Sequence, residues 1–373
     1  MRALEAKRLL DAARSAADSG ERAALATVVR VHGSAYRREG AKMLVSQSGA
    51  ATGMISGGCL EPQITAAARH VMELGAPKLL RYELDEDVMW GLGLGCGGAV
   101  EVHLEPVATS ADGDPLRCWL EMQARGDCGA LITVLGAGSG RLLWRPDVSP
   151  GTLGHSGLDE AALALVRSEL AAPAPRARMH RLELDRREFE LFVDVSTPPL
   201  ELVIFGGGHD ARPLARDAAR LGFYTTVVDP RPAYANEAHF PEAHVVRAHP
   251  GELSGGLALH SRSFVVIMNH HLERDRQCLA FALASDAPYV GVLGPRSRYQ
   301  LLLDEIGSTS PDVSPSSLAK VRSPVGLDIG AEAPDEVALS ILAEVLAVSR
   351  GFPGGFLNGL AGRIHEPDRD PGS

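Results

Sequence analysis

Apolar residues along this chain fall into two kinds of stretch. Some form short runs between turn residues, as strands do, and others recur at helical spacing. Residues 1–20 read as a helix rich in Ala, Arg and Asp. Ala24-Leu25-Ala26-Thr27-Val28-Val29 then reads as a strand and resembles Ala130-Leu131-Ile132-Thr133-Val134-Leu135 further on. Residues 53–69 resemble residues 151–167, with Leu60/Leu158, Glu61/Asp159 and Arg69/Arg167 in register, and both turn into an amphipathic helix. Arg81-Tyr82-Glu83-Leu84-Asp85 resembles Arg181-Leu182-Glu183-Leu184-Asp185, and each copy closes on a strand, at 100–104 and 189–193. The pattern predicts a degenerate internal repeat of strand, hairpin, helix, strand, strand.

The second copy lacks the Gly33–Gly40 loop, replaces Gly57-Gly58-Cys59, and lacks the Met89–Gly98 loop. If both copies build one scaffold, these loops are additions to it, and loops held on a rigid frame are where function concentrates.

Beyond Pro198-Pro199 the pattern changes. Leu202-Val203-Ile204-Phe205 is a wholly apolar run, as a buried parallel strand should be. Gly206-Gly207-Gly208-His209-Asp210-Ala211 follows, then a helix with Pro213 in its first turn, a strand at 225–228 and an acid, Asp229. Glycines there let backbone approach a pyrophosphate, the helix N-terminus offers N–H donors, and an acid at this distance suits a ribose hydroxyl. Gly206, Gly208, His209 and Asp229 are therefore candidate nucleotide-binding residues, with NAD or an adenine nucleotide expected over NADP. Further strands are expected at 244–247, 264–268 and 289–293. His270, after the second of these, reads as a base, a metal ligand or an anion donor, or else as the cap of the next helix. Arg296, after the third, reads as a phosphate ligand or as solvated surface. The expected architecture is α/β: an N-terminal α+β domain over 1–195, a Rossmann-like parallel-sheet domain over 200–350, and a partly disordered tail over 351–373.

Composition narrows the classes. A net charge of −10 argues against a general nucleic-acid binder. Residues 1–20 lack the apolar segment of a signal peptide, and no apolar run reaches membrane-spanning length. The five cysteines form no Cys-x-x-Cys pair, which disfavours a structural zinc site and a disulfide framework. The expectation is a reduced, cytoplasmic protein, with a homodimer expected on general grounds.

Two cysteines, Cys59 and Cys96, sit among glycines, in Ser56-Gly57-Gly58-Cys59-Leu60-Glu61 and Gly95-Cys96-Gly97-Gly98. Glycine there allows close approach to a ligand or a second protein, and a thiolate is a soft ligand suited to a soft metal or to sulfur relay. Nearby Arg37 and Arg38 would favour the thiolate.

The stretch from Gly33 to Val45, containing Ser34, Arg37 and Arg38, together with the Ser56–Glu61 and Gly95–Gly98 motifs, resembles the XdhC/CoxI family. The run Tyr289–Gly294 and the run Pro324–Gly330 are similar to that family's Rossmann domain. Such proteins are accessory factors for xanthine dehydrogenase and related molybdenum hydroxylases. The resemblance implies binding of the molybdenum cofactor, a molybdopterin, through Ser34, Arg37, Arg38, Ser56, Gly57, Gly58, Cys59, Glu61, Cys96 and Gly97. It also implies a cysteine desulfurase and the apo-hydroxylase as partners, and a chaperone rather than a hydroxylase. The family pattern is broken by Pro295 and Ser297 and by Asn269 before His270. A nicotinamide-dependent oxidoreductase with His270 as acid/base, and a nucleotide-sensing scaffold, stand as alternatives.

Overall fold

The computed structural model describes residues 3–33, 35–83, 98–107, 114–136, 140–147, 151–172, 175–309 and 314–359. Ser34, Cys96, Gly97 and the tail after His365 lie outside the described residues. The chain divides into two compact units between Pro198 and Pro199.

The first unit is the predicted repeat, with one more element than the pattern predicts. Copy one runs α1 (Ala3–Asp18), β1 (Ala23–His32), β2 (Lys42–Ser46), β3 (Ala51–Gly53), α2 (Glu61–Leu74), β4 (Lys78–Glu83), β5 (Ala99–Val107). Copy two runs α3 (Pro115–Arg125), β6 (Gly129–Leu135), β7 (Arg141–Trp144), β8 (Gly151–Thr152), α4 (Ser156–Ala171), β9 (Arg178–Leu184), β10 (Arg187–Ser196). The two sheets have matching strand orders, β3-β2-β1-β5-β4 and β8-β7-β6-β10-β9. The repeat thus opens with a helix in each copy. Sequence comparison misses this because α1 and α3 share a packing role rather than residues.

Alternation explains the layers. Ala24, Ala26 and Val28 face α2, where Ile64, Ala68 and Val71 form its apolar stripe. Ala130, Ile132 and Val134 face Leu158, Ala162 and Val166 of α4 in the same way. The intervening residues point inward: Leu25 and Leu44 of one copy and Leu131 and Leu143 of the other share a cluster with Leu9 of α1 and Trp119 and Leu120 of α3. Both faces of each central strand are therefore covered.

The second unit contains β11 (Glu201–Phe205), α5 (Ala211–Arg220), β12 (Tyr224–Val228), β13 (His244–Val246), β14 (Ser263–Ile267), α6 (Leu272–Leu283), β15 (Tyr289–Val292), α7 (Arg296–Thr309), α8 (Pro315–Ala319), β16 (Val321–Arg322) and α9 (Pro334–Ser349). Its six-stranded sheet has the order β13-β12-β11-β14-β15-β16, and its strand pairs are parallel. Leu202 and Ile204 pack with α5 and α9, whereas Val203 and Phe205 pack with α6 and α7. Helices cover both faces, as a parallel sheet requires. The chain leaves β11 toward β12 on one side and returns from β13 to β14 on the other, so the crevice between the carboxyl ends of β11 and β14 is the topological switch point.

Candidate functional site

In the first repeat, the connections bearing the family motifs leave one end of the sheet. His32 is the register partner of Ala99, and Ala99 is the partner of Glu83. The 33–41 connection and the one following Glu83, which carries Cys96, are therefore rooted side by side. In the second repeat the equivalent of the latter is a two-residue turn at Asp185 and Arg186, both in left-handed backbone.

The third connection, Ile55–Leu60, reaches the first. The exposed Tyr36 ring lies over Gly57, 3.4 Å from where a Cβ would stand. Gly57 and Gly58 hold φ +86° and +120°, a region that penalises other residues. Leu60 caps α2, and Cys59 precedes it, half-buried, its thiol donating to the Ser56 carbonyl at 3.6 Å.

Glu61 organises this loop from within. Its carboxylate accepts from the N–H groups of Ile55, Ser56 and Gly58 at 3.1, 2.9 and 2.9 Å, and from the Ser56 hydroxyl. Burial works to raise its pKa, but the Ser56 hydroxyl and the Ser56 and Ile55 N–H groups outweigh it and hold the value at about 2. Asp159 does the same work in the second copy, accepting from Leu153 N–H and the Thr152 hydroxyl. A pair matched by sequence register is thus a matched loop staple, and Glu61 faces the inside of the loop. Arg37 reaches Glu5 at 2.7 Å, and Arg38 lies 3.6 Å from Glu39. Among the described residues no cluster of three or more His, Cys, Asp or Glu side chains is arranged to hold a metal ion.

In the second unit, Gly206 begins the glycine turn at φ +113°, and a Cβ there would stand 2.5 Å from the Met268 carbonyl. Only glycine lets β11 turn this close to the end of β14. Gly208 needs no such conformation, and among the described residues a Cβ would meet only the Asp210 carboxylate. His209 is exposed, with its ring edge-on to Tyr234, centroids 6.4 Å apart.

Asp229 is fully buried at the end of β12. One oxygen accepts from Gly207 N–H at 2.8 Å and Arg231 Nη2 at 2.6 Å; the other accepts from Arg231 N–H and Nε, both at 2.9 Å. Burial opposes its ionisation, yet the Arg231 and Gly207 donors keep its pKa below the ordinary value. The expectation that Asp229 receives a ribose hydroxyl meets a carboxylate whose acceptor sites are already filled. Arg231, which no motif singles out, holds it while stacking on Tyr234, 4.0 Å from the ring centroid. The signal was present in the spacing Asp229-Pro230-Arg231, where a short rigid turn returns the guanidinium to the acid.

At the switch point His270 Nε2 meets Asp210 Oδ2 at 2.6 Å. His270 holds φ +55°, uncommon for a residue with a side chain. The cap of α6 is its neighbour His271. Asp275, five residues on, is buried and binds the Asn269 N–H and side-chain amide, both at 3.1 Å, and Arg298 at 2.6 Å. Arg296 is exposed at the first position of α7. The glycine turn, His270 and Arg296 thus all lie at the carboxyl ends of neighbouring strands.

With this geometry in place, comparison with known proteins decides the family. Residues 16–83 match the XdhC and CoxI family, and residues 202–345 match the XdhC Rossmann domain. A Bacillus subtilis protein described as a probable xanthine dehydrogenase subunit is 31% identical over 87% of this chain and 93% of its own length. This chain belongs to the XdhC and CoxI family. Another relative, the molybdenum cofactor insertion chaperone PaoD of Escherichia coli, is 26% identical over 88% of this chain and 84% of that protein. A crystal structure of a Bacillus halodurans protein described as a xanthine dehydrogenase superposes with a TM-score of 0.72 at 30% identity, covering 91% of this chain and 95% of that one. The mixed α/β architecture with a parallel-sheet Rossmann unit is that of the family. No helix among the described residues is long and apolar enough to cross a membrane.

Proposed function

We propose that this XdhC and CoxI family member is a molybdenum cofactor chaperone for a xanthine dehydrogenase-type molybdoenzyme. The observation that carries this reading is the common root of the motif-bearing loops at one end of the first repeat's sheet, with Cys59 half-buried in the loop that Tyr36 covers. The second repeat builds the same sheet with a tight turn in place of the Cys96 connection, so that loop serves something other than the fold. Relatives named for xanthine dehydrogenase and for molybdenum cofactor insertion support the same cargo.

Cys59 supplies a half-buried thiol just before α2, a soft ligand matched to a metal–sulfur centre. Gly57 and Gly58, without side chains, leave room for the pterin to approach the loop backbone, and Ser34 and Arg38 are the candidate contacts for its phosphate. A cysteine desulfurase is the proposed sulfur source for the held cofactor, and the apo-hydroxylase its recipient. The Rossmann unit is assigned a nucleotide at Gly206–Ala211, because the glycine turn, helix N-terminus and switch point coincide there.

The test is retention. Purified protein is mixed with molybdenum cofactor, desalted, and assayed for pterin by fluorescence after oxidation and for molybdenum by mass spectrometry. Wild type should retain both in stoichiometric amount, and Cys59→Ala should retain much less molybdenum. Equal loss of cofactor from wild type and from an unrelated control protein would reject the reading.

A further inference from the structure

The Rossmann unit carries an arrangement at the end of β12 that goes beyond nucleotide binding and selects among nucleotides. In a dinucleotide fold, the acid ending the second strand accepts hydrogen bonds from the adenosine ribose, whereas an arginine nearby accommodates a 2′-phosphate. Here both groups are present, and their geometry decides between them.

Asp229 has no exposed surface. An ionised carboxylate offers about four acceptor positions. Gly207 N–H, Arg231 N–H, Arg231 Nε and Arg231 Nη2 each take one, at 2.6–2.9 Å. A ribose hydroxyl would have to displace Arg231 to reach it. The charge of Asp229, which would repel a 2′-phosphate, is also balanced at contact distance by the guanidinium.

Arg231 is the group left facing outward. Its guanidinium spends Nε and one hydrogen of Nη2 on Asp229, and Nη1 and the second Nη2 hydrogen carry no protein acceptor among the described residues. The side chain is 36% exposed. Two contacts hold it in place: the fork on Asp229 and the stack on Tyr234. Tyr234 belongs to the turn that packs over the glycine loop, since its carbonyl carbon lies 3.5 Å from the Cβ position of Gly207. The free edge of a preorganised guanidinium thus stands over the strand end where the adenosine ribose would lie.

We propose that the Rossmann unit binds an adenine nucleotide carrying a 2′-phosphate, with the free edge of Arg231 reading that phosphate. A 2′-phosphate gains charge-assisted hydrogen bonds there, whereas a 2′-hydroxyl meets only donors. This reverses the preference for NAD expected from Asp229 alone, and it rests on the nucleotide-binding part of the proposed function.

Calorimetric titration of the full-length protein with adenosine 2′,5′-bisphosphate and with 5′-AMP tests the proposal, alongside NADPH and NADH. The 2′-phosphorylated member of each pair should bind at least tenfold more tightly, a preference that weakens with added salt. Arg231→Gln should reduce the ratio to near one, and Tyr234→Leu should reduce it partly by releasing the guanidinium. Circular dichroism of each variant establishes that it is folded, and the wild-type ratio decides if one is not. Equal affinity within each pair, or tighter binding of the unphosphorylated member, would overturn the specificity while leaving nucleotide binding intact. Binding of none of the four ligands would overturn both, and cofactor retention by the first unit would still be tested separately.

Discussion

Lys42 of the first repeat is ion-paired inside the protein with Asp194 of the second, and both side chains are almost wholly buried. The repeat makes the pair reciprocal. Lys42 lies opposite Thr27 as Arg141 lies opposite Thr133, and Arg141 of the second copy pairs with buried Glu105 of the first. Each copy thus sends a cation from its second strand to an acid on the other copy's last strand. Trp119 from α3 donates to the same Asp194 oxygen at 3.0 Å.

Breaking one partner should be more costly than removing the pair's charge. Lys42→Met leaves the buried Asp194 without its cation and should cost about 3–5 kcal/mol. Adding Asp194→Asn keeps an acceptor for Trp119 and should restore more than half of the loss. Urea denaturation of the three proteins measures this. A single-variant cost of only about 0–1 kcal/mol, typical of exposed pairs, would mean that water reaches the pair.

The Glu61 staple makes the cysteine loop acid-sensitive. Its folded pKa of about 2 lies below the ordinary 4.5, so its contribution is complete above about 4.5 and fades as pH falls toward 2. Glu61→Gln should therefore melt at a lower temperature than wild type above about pH 5, with the two converging near pH 2. A pH-independent gap between their melting temperatures would show that the charge is not what holds the loop.

Thiol reactivity should separate Cys59 from Cys278. Cys278 is fully buried, and burial pushes its thiol up to about 12 despite donation from the Asn269 amide at 3.6 Å. Cys59 is half-buried at the start of α2. Iodoacetamide should modify Cys59 in native protein at about pH 8 and Cys278 only in denaturant, as read by peptide mass mapping. Native labelling of Cys278 at a comparable rate would contradict this.

The two glycines of the nucleotide turn should respond differently to alanine. At Gly206 the left-handed backbone and the Met268 carbonyl both oppose a side chain, at a cost on the order of 1–3 kcal/mol or more. At Gly208 the only close neighbour among the described residues is the end of the Asp210 side chain, so Gly208→Ala should melt within a few degrees of wild type. Gly208→Val should fold yet lose nucleotide affinity, since its branches fill the space a phosphate needs. A large loss of thermal stability in Gly208→Ala would show that the turn is packed more tightly than its geometry indicates.

The strands were legible because their signal is local. The alternation of Ala24, Leu25 and Ala26 states which residues face α2 and which face inward, and the second copy repeats it at Ala130, Leu131 and Ile132. The spacing of Gly206, Gly208 and Ala211 placed the glycine turn for the same reason, since it depends on backbone geometry within a few residues. The equivalence of α1 and α3 was not legible, because their shared property is a common apolar cluster and not a shared pattern. Nor was the partner of Lys42, which lies 152 positions away and is chosen only when the two sheets stack. Asp229 shows the limit most plainly. Its place at the end of a strand was set by the sequence. Its role was decided by where the Arg231 guanidinium comes to rest once Tyr234 and Gly207 have packed around it, because a buried charge takes the nearest donors that tertiary structure supplies.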